Sequence, residues 1–312
     1  MKDRAGGAIQ VKAVVLTHRR RRLAGELVRS LVSDEGFSPS QIVVVVNEDG
    51  GLDDDQLEEA VDLLRLGENL GPAGGFRAGM EAAFSDPAVQ WAYLCEDDVG
   101  LFDLPHPRLD DLLGRVGQLG ELVAPVGAVV AYGRRLERRR GHATNLVPPD
   151  GTFADLAPVD VAAWGATLVS RRVFDAGVLP DTRWFFGYED FDFFCRVREA
   201  GFSVMVDAIS ARRIAKQQTS EGRDLALGGR RPTDADEPWR AYYMARNFFC
   251  LARRHGRRSW EAWHLLYSLR RMQLSKDPAA IAATLRGLYD GARGRLGRNP
   301  RYTRTVGELP LR

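Results

Sequence analysis

The sequence is poor in cysteine and has no long apolar run. Its three cysteines, Cys95, Cys195 and Cys250, are odd in number and widely spaced among 312 residues. Such spacing fits neither a disulfide framework nor a zinc site, and it favours a reducing, cytoplasmic location. No window approaches 18 consecutive apolar residues, so the sequence does not predict a membrane-spanning helix.

The common nucleotide-binding fingerprints are absent as well. Residues 69–76 are rich in glycine, but they contain neither the Gly-Lys-Ser/Thr ending of a P-loop nor the three-glycine dinucleotide pattern. The chain also has no internal repeat. The glycine-rich residues 69–76 are therefore a weak signal on their own.

The composition is that of a globular protein with an uneven distribution of charge. Hydrophobic residues make up 45% of the chain and charged residues 28%, which is enough apolar material for a sizeable core. Residues 238–312 hold 16 Lys/Arg and four Asp/Glu, a net +12, whereas residues 1–237 carry a net −10. This split predicts a boundary near residue 237 and a basic extension that meets an anionic partner.

Short apolar runs alternate with helical patterns in the first hundred residues. Three runs have the length and β-branched content of buried strands: residues 11–17, 41–46 and 88–94. Three stretches have helical spacing: residues 23–31, 53–66 and 76–84. The alternation predicts an α/β fold with a mostly parallel central sheet flanked by helices. Ligands of such sheets bind beyond the carboxyl ends of the strands.

The second half of the chain is less regular until its end. The pattern predicts, in order, loops over 132–158, strand over 159–170, a helix within 184–200, a polar loop over 212–238 and helix over 237–289. The last stretch predicts a C-terminal helical extension.

Three carboxylates follow the third predicted strand. Glu96, Asp97 and Asp98 can present oxygens to one hard cation such as Mg²⁺ or Mn²⁺, which would also relieve their mutual repulsion. The triplet alone fits a solvated acidic turn equally well.

Two further stretches suggest a site. Residues 69–76 would form a glycine-rich loop before a helix, where free backbone amides can bind phosphate or hydroxyl oxygens. Residues 184–192 place three carboxylates among aromatic side chains, and apolar surroundings raise the pKa of a carboxylate toward that of a useful base. Read singly, the first fits a plain loop, and the second fits a helix start with core aromatics.

Taken in order, these segments resemble the family 2 glycosyltransferases with a GT-A fold, most of all bacterial rhamnosyl- and galactofuranosyltransferases. The resemblance covers residues 11–250. Its motifs are the strand ends Val14-Val15-Leu16-Thr17-His18-Arg19 and Val45-Val46-Asn47, the loop from Asn69 to Phe76, the triplet Glu96-Asp97-Asp98, Trp164-Gly165-Ala166, the segment from Tyr188 to Arg196, and Tyr242-Tyr243 with Arg246-Asn247. The resemblance implies a GT-A catalytic domain over 1–237, with 238–312 as a mainly helical extension.

The resemblance also implies an inverting transfer of a sugar from a UDP- or dTDP-linked donor to a glycan, lipid-linked or small-molecule acceptor. Asp190 would be the general base, with Glu189 beside it, and Asp98 and Glu96 would bind Mg²⁺ or Mn²⁺. The implied nucleotide-sugar contacts are Thr17, His18, Arg19, Asn47, Asn69, Gly74, Gly75, Arg77, Glu96 and Asp97. The implied acceptor contacts are Trp164, Gly165 and Tyr188.

The sequence departs from the family pattern in three places. Glu96 replaces the usual first Asp of the metal motif, and Val46 stands where many members carry an Asp. The family often supplies a late histidine to the metal, but no histidine lies between His142 and His255. Water could complete the metal shell, or the Arg212-Arg213 pair could hold the diphosphate.

Two other interpretations stay open from sequence. A sugar-phosphate nucleotidyltransferase shares the sheet and the metal site, but it would need a glycine-rich basic loop after the first strand. The second interpretation is a non-catalytic basic module over 238–312. This segment shows no nucleic-acid recognition motif, so we expect no nucleic-acid partner. Peripheral contact with an anionic inner-membrane surface fits better, through the aromatics Trp239, Tyr242, Phe248, Phe249, Trp260 and Trp263. Oligomeric state is open, with a homodimer as one option.

Overall fold

An eight-stranded sheet forms the centre of the computed structural model, which describes residues 10–98, 109–120, 124–220, 237–256, 258–275 and 277–302. The strand order is β3-β2-β1-β4-β10-β5-β11-β8, and a small second sheet has the order β7-β6-β9. The strands are β1 (Gln10–Thr17), β2 (Ile42–Val46), β3 (Asp62–Arg65), β4 (Val89–Glu96), β5 (Val126–Val130), β6 (Gly133–Leu136), β7 (Ala143–Asn145), β8 (Leu156–Pro158), β9 (Val161–Ala162), β10 (Thr167–Ser170) and β11 (Ser203–Asp207).

Helices cover the sheet and continue past it. They are α1 (Arg21–Ser33), α2 (Asp55–Ala60), α3 (Gly71–Phe84), α4 (Leu109–Leu119), α5 (Arg171–Asp175), α6 (Glu189–Glu199), α7 (Ala208–Ser220), α8 (Pro238–His255), α9 (Arg258–Leu274) and α10 (Pro278–Ala292). Strands β1 to β4 run parallel, β10 is antiparallel to both β4 and β5, and β5 and β11 are parallel. The predicted α/β fold with a mostly parallel sheet and flanking helices is confirmed.

The central strands are buried on both faces, which explains their continuous apolar sequence. All five residues of β2 are buried. Alternate residues of β1 enter different cores: Val14 and Leu16 pack with α3, whereas Ala13 and Val15 pack with α1 and α4. This alternation follows from the two-residue period of a strand.

The glycines of residues 71–79 allow α3 to lie close to its neighbours. A methyl group on Gly75 would lie 2.3 Å from Leu16 Cδ1, and one on Gly79 would lie 2.2 Å from Val14 Cγ1. Gly71, with φ +72°, lies against the carbonyl oxygen of Phe185. The prediction of a loop over 69–75 was therefore wrong from residue 71 onward, because α3 begins at Gly71 and its glycines serve helix packing.

Several other predicted elements differ from the structure. Residues 53–66 form a short helix and then strand β3, because the apolar residues at 61–64 join the sheet edge. Residues 132–158, predicted as loops, include three short strands. The polar stretch from 212 is helical to Ser220, and residues 221–236 lie outside the described part of the chain. The single helical stretch over 237–289 is three helices, the first of which begins at Pro238.

The C-terminal helices pack on the core of the central sheet through residues of α8. Cys250 and Leu251 belong to the same core cluster as the sheet. Of the six aromatics predicted to contact a membrane, Tyr242, Phe248, Phe249 and Trp260 are at most 9% exposed. For these four the prediction was wrong, because they pack between helices. No helix within the described ranges is long and apolar enough to cross a membrane.

The glycine packing gives a direct test of stability. We expect Gly79→Ala to lower the free energy of unfolding by about 1–3 kcal/mol, because the new methyl group overpacks against Val14. Gly114→Ala in α4 is the matched control: open space surrounds it, so it should stabilise by about 0.5–1 kcal/mol. Urea denaturation of both variants measures these changes. A Gly79→Ala protein as stable as wild type would contradict the close packing of α3 on β1.

Candidate functional site

The acidic triplet (Glu96-Asp97-Asp98) lies at the carboxyl edge of the sheet. Glu96 is the last residue of β4 and pairs with Leu16 of β1, while Thr17 pairs with Val46 at the end of β2. The ends of three neighbouring parallel strands therefore meet at this edge, as the sequence predicted.

Asp97 connects the triplet to β1. Its buried carboxylate accepts a hydrogen bond from Thr17 Oγ1 at 2.8 Å and lies 2.5 Å from Arg20 Nη2, and its backbone N–H donates to the carbonyl of Leu16. Burial raises the pKa of Asp97 to about 6, against the opposing effect of Arg20. The Asp97 side chain thus points into the protein interior, and its contacts hold the turn on which Glu96 and Asp98 lie.

Asp98 and Glu96 are the outer members of the triplet. Asp98 Oδ2 accepts a hydrogen bond from Arg20 Nη1 at 2.9 Å. Burial raises the pKa of Glu96, and the charges of Asp98, Asp97 and Asp190 raise it further. Sequence reasoning did not single out Arg20, although it belongs to the basic run directly after β1.

A second acidic cluster, the α6 pair (Glu189 and Asp190), begins α6. Burial raises the pKa of both carboxyls. The charge of Asp190 also raises the pKa of Glu96, and the charges of Asp190 and Glu96 raise that of Glu189. Glu189 is buried, and its Oε2 has no hydrogen-bond partner among the described residues. The triplet and the α6 pair therefore lie close enough to interact electrostatically.

Arg134 of β6 supplies positive charge beside the α6 pair. It lowers the pKa of Asp190 against the larger effect of burial. Its guanidinium carbon lies 5.3 Å from the ring centre of Tyr132 and 5.6 Å from that of Phe191. Within the described residues its Nε is buried without a hydrogen-bond partner. No pattern in the loop-rich sequence around Arg134 announced this role.

The turn before α6 has an uncommon backbone. Gly187 has φ +79° and Tyr188 has φ +67°, a left-handed conformation that costs a non-glycine residue about 1–3 kcal/mol. The Tyr188 ring packs edge-on against Phe191 and Phe248. Aromatic packing therefore helps to hold the residue that precedes the α6 pair.

Asn247 of α8 holds the same turn from the other side. Its amide donates to the carbonyls of Phe186 at 2.7 Å and Gly187 at 2.8 Å, and its Oδ1 accepts from Arg246 Nε at 2.7 Å. Asn247 is fully buried. The Arg246-Asn247 pair thus holds the loop that precedes α6.

A polar set lies beside the triplet at the ends of β1 and β2. His18 Nε2 is 2.9 Å from Glu48 Oε2, and Arg19 Nη2 is 3.2 Å from the same oxygen. The hydrogen bond from His18 lowers the pKa of Glu48. Asn47 and Asn69 accept backbone N–H groups at the start of α3, from Leu70 at 2.8 Å and from Gly71 at 2.9 Å, respectively.

The other predicted contacts lie in varied surroundings. Trp164 is buried against Phe76 and Phe193, and its indole N–H has no partner within the described ranges. Gly165 has φ +139° and open space around it.

Arg77 pairs with Glu81 on the surface of α3. Gly74 and Gly75 lie inside α3, the latter against Leu16. Arg212 is ion-paired with Asp150 and Asp155, so its charge is already partnered.

The carboxylate oxygens of Glu96 and Asp98 are of the type that a hard cation binds. Among the described residues, no group of three or more His, Cys, Asp or Glu side chains is arranged to hold a metal ion. Glu96 and Asp98 carry carboxylate oxygens, and the pKa of Glu96 is raised first by burial and then by the charge of Asp98. A divalent cation bound by few protein ligands and by substrate oxygens fits this chemistry.

Comparisons with known proteins agree with the motifs. No family model matches the chain. Galactofuranosyltransferase GlfT1 of Mycolicibacterium smegmatis (strain ATCC 700084 / mc(2)155) is 27% identical over 317 residues, which cover 94% of this chain and 98% of that protein. A crystal structure of GalNAc-T7 with UDP, GalNAc and Mn²⁺ aligns with a TM-score of 0.45 and 12% identity, over 64% of this chain and 42% of that one. The chain is thus similar to one glycosyltransferase along nearly its whole length.

The Asn247 clamp is testable without knowledge of the substrate. We expect Asn247→Ala to lower the free energy of unfolding by about 2–4 kcal/mol, because two buried carbonyls lose their donor. Asn299→Ala is the control, since its side chain accepts one backbone hydrogen bond in an external turn. Equal stability of the two variants in urea denaturation would show that the clamp does not hold the loop.

Proposed function

We propose that this chain is an inverting glycosyltransferase of the GT-A type that transfers a sugar from a UDP- or dTDP-linked donor to an acceptor hydroxyl. The observation that carries the proposal is the meeting of the acidic triplet and the α6 pair at one edge of the sheet. The similarity to galactofuranosyltransferase GlfT1 supports galactofuranose as the first donor sugar to test, ahead of rhamnose and the hexoses.

Asp190 is the proposed general base. Burial raises its pKa toward neutrality, which makes its carboxylate a stronger proton acceptor than an exposed aspartate. The acceptor hydroxyl gives its proton to Asp190 as its oxygen bonds to the anomeric carbon. The bond from that carbon to the diphosphate oxygen breaks on the opposite face, and the nucleoside diphosphate leaves with the electron pair. Configuration inverts because attack and departure are in line.

Glu189 and Arg134 influence the charge and the pKa of the proposed base, Asp190. Burial and the charge of Asp190 raise the pKa of Glu189 well above its ordinary value, which favours the neutral form of Glu189 beside Asp190. Arg134 has the opposite effect on Asp190, whose pKa it lowers, and it thereby keeps the base available. Two neighbouring carboxyls whose surroundings shift their pKa values differently can take separate roles in acid–base chemistry.

The donor side is proposed to lie along the triplet and the β1 and β2 ends. Glu96 and Asp98 would hold Mg²⁺ or Mn²⁺, which stabilises negative charge on the departing diphosphate. Arg20 is the nearest cation to the triplet and would contribute to the same charge balance. His18, Arg19 and Asn47 line the strand ends where the nucleoside is expected.

The base assignment makes a quantitative prediction. Asp190→Asn should lower kcat about 10²–10⁴-fold, because the amide cannot accept the acceptor proton, while affinity for the nucleotide sugar stays within about threefold. The assay is transfer from UDP-galactofuranose and dTDP-rhamnose to glycan acceptors, with donor binding measured by calorimetry. Asp175→Asn, an exposed carboxylate of α5, is the control. Normal turnover of Asp190→Asn would place the base elsewhere.

The assignment of Glu96 and Asp98 as metal ligands makes a second prediction. Asp98→Ala should abolish the part of nucleotide-sugar affinity that depends on Mn²⁺, because it removes an oxygen ligand. Glu96→Gln should weaken it less, since its amide oxygen can still ligate. Calorimetric titration of nucleotide sugar with and without Mn²⁺ measures both. An Asp98→Ala protein with unchanged, metal-dependent affinity would contradict the assignment.

A further inference from the structure

Helix α9 has an inverted distribution of polar and apolar residues. The side buried against α8 and α10 is a narrow stripe of Trp260, His264 and Ser268. His264 Nε2 donates to the carbonyl of Ala245 there. Most of the other large apolar side chains of α9 lie on the remaining surface. They form what we name the α9 apolar face, 42% to 70% exposed: Trp263, Leu265, Leu266, Tyr267, Leu269 and Leu274. Six large apolar side chains exposed on one helix are typical of an interaction site.

Cations surround the α9 apolar face. Arg258, Arg270 and Arg271 belong to the helix, whose one acidic residue is Glu261. The Arg140 guanidinium lies 4.3 Å from the ring centre of Trp263. The surface therefore combines leucine side chains with arginine, a combination that suits a layer with both phosphate groups and apolar chains.

The α9 apolar face adjoins the site. Phe248 of α8 contacts both α9 and Tyr188: its ring centre lies 4.4 Å from that of His264 on α9 and 5.4 Å from that of Tyr188. Tyr188 directly precedes the α6 pair. A surface that covers α9 would therefore lie next to the proposed acceptor side.

We propose that the α9 apolar face docks on a lipid bilayer surface with anionic headgroups, its leucines inserted among the acyl chains and its arginines on the phosphates. Given the proposed function, this places a lipid-borne acceptor hydroxyl beside Asp190. A symmetric dimer through the same face is disfavoured, because it would bring arginine against arginine. Nucleic acid would leave the exposed leucines without apolar contacts.

The test is co-sedimentation of the full chain with vesicles. Wild type should bind phosphatidylcholine vesicles with about one third phosphatidylglycerol at least about tenfold more tightly than pure phosphatidylcholine vesicles. The triple variant Leu265→Gln, Leu266→Gln and Leu269→Gln should lose at least about tenfold of this affinity. The double variant Arg258→Gln and Arg270→Gln should lose about 30-fold.

Matched controls separate the face from general surface properties. Val147→Gln with Phe153→Gln removes two exposed apolar side chains outside α9, and Arg22→Gln with Arg29→Gln removes two exposed arginines of α1. Both controls should bind like wild type. Circular dichroism of every variant checks that the helices are intact.

The proposal is overturned if wild type shows no preference for anionic vesicles or if the leucine variant binds them like wild type. It is also overturned if light scattering shows a wild-type dimer that the leucine variant converts to monomer without any vesicle binding. The vesicle assay uses no nucleotide sugar, so its result is independent of the transfer assay. If wild type does not bind vesicles but does transfer sugar to a soluble acceptor, the membrane-docking proposal fails and the proposed function stands.

Discussion

The repulsion between carboxylates at one edge of the sheet is the constraint on which the rest of the site depends. The acidic triplet and the α6 pair come from segments about ninety residues apart in sequence, yet their charges raise one another's pKa values. Arg20 and Arg134 offset part of this repulsion. A folded protein does not gain stability from such an arrangement, which points to a use in binding or catalysis.

The two clusters are held by different means. Asp97 fixes the triplet through Thr17 and Arg20, at the end of a strand that is buried on both faces. The α6 pair depends instead on helix α8. Asn247 clamps the loop before α6, and buried Asp192 within α6 accepts contacts from His255 at 2.8 Å and Arg254 at 3.1 Å. Through these contacts with α6 and the loop before it, helix α8 helps to position the α6 pair.

The sequence predicted the elements whose signals are local. The β-branched strands, the triplet at a strand end and the acidic start of α6 are readable because burial and helix-dipole preferences act over a few residues. Residues 71–75 were misread, since the glycines that suggest a loop instead allow α3 to approach β1. The aromatics of α8 were misassigned to a surface because interleaved arginine and aromatic residues do not reveal which side of a helix is covered.

Contacts made across long sequence distances were not predictable. Arg134 lies in a segment without periodicity, and only the folded chain brings it beside Asp190. Arg20 is one of four consecutive arginines, and nothing in the run distinguishes the one that meets Asp97 and Asp98. The orientation of α9 likewise depends on which of its faces meets α8 and α10.

The central claim is that the triplet and the α6 pair form one donor and acceptor site. Anomalous diffraction from crystals soaked with UDP and Mn²⁺ tests it most directly. The account predicts one manganese peak beside Glu96 and Asp98, with the diphosphate between the metal and Arg20 and with Asp190 facing the open side of the site. A manganese peak away from the triplet, or UDP bound at another edge of the sheet, would contradict it.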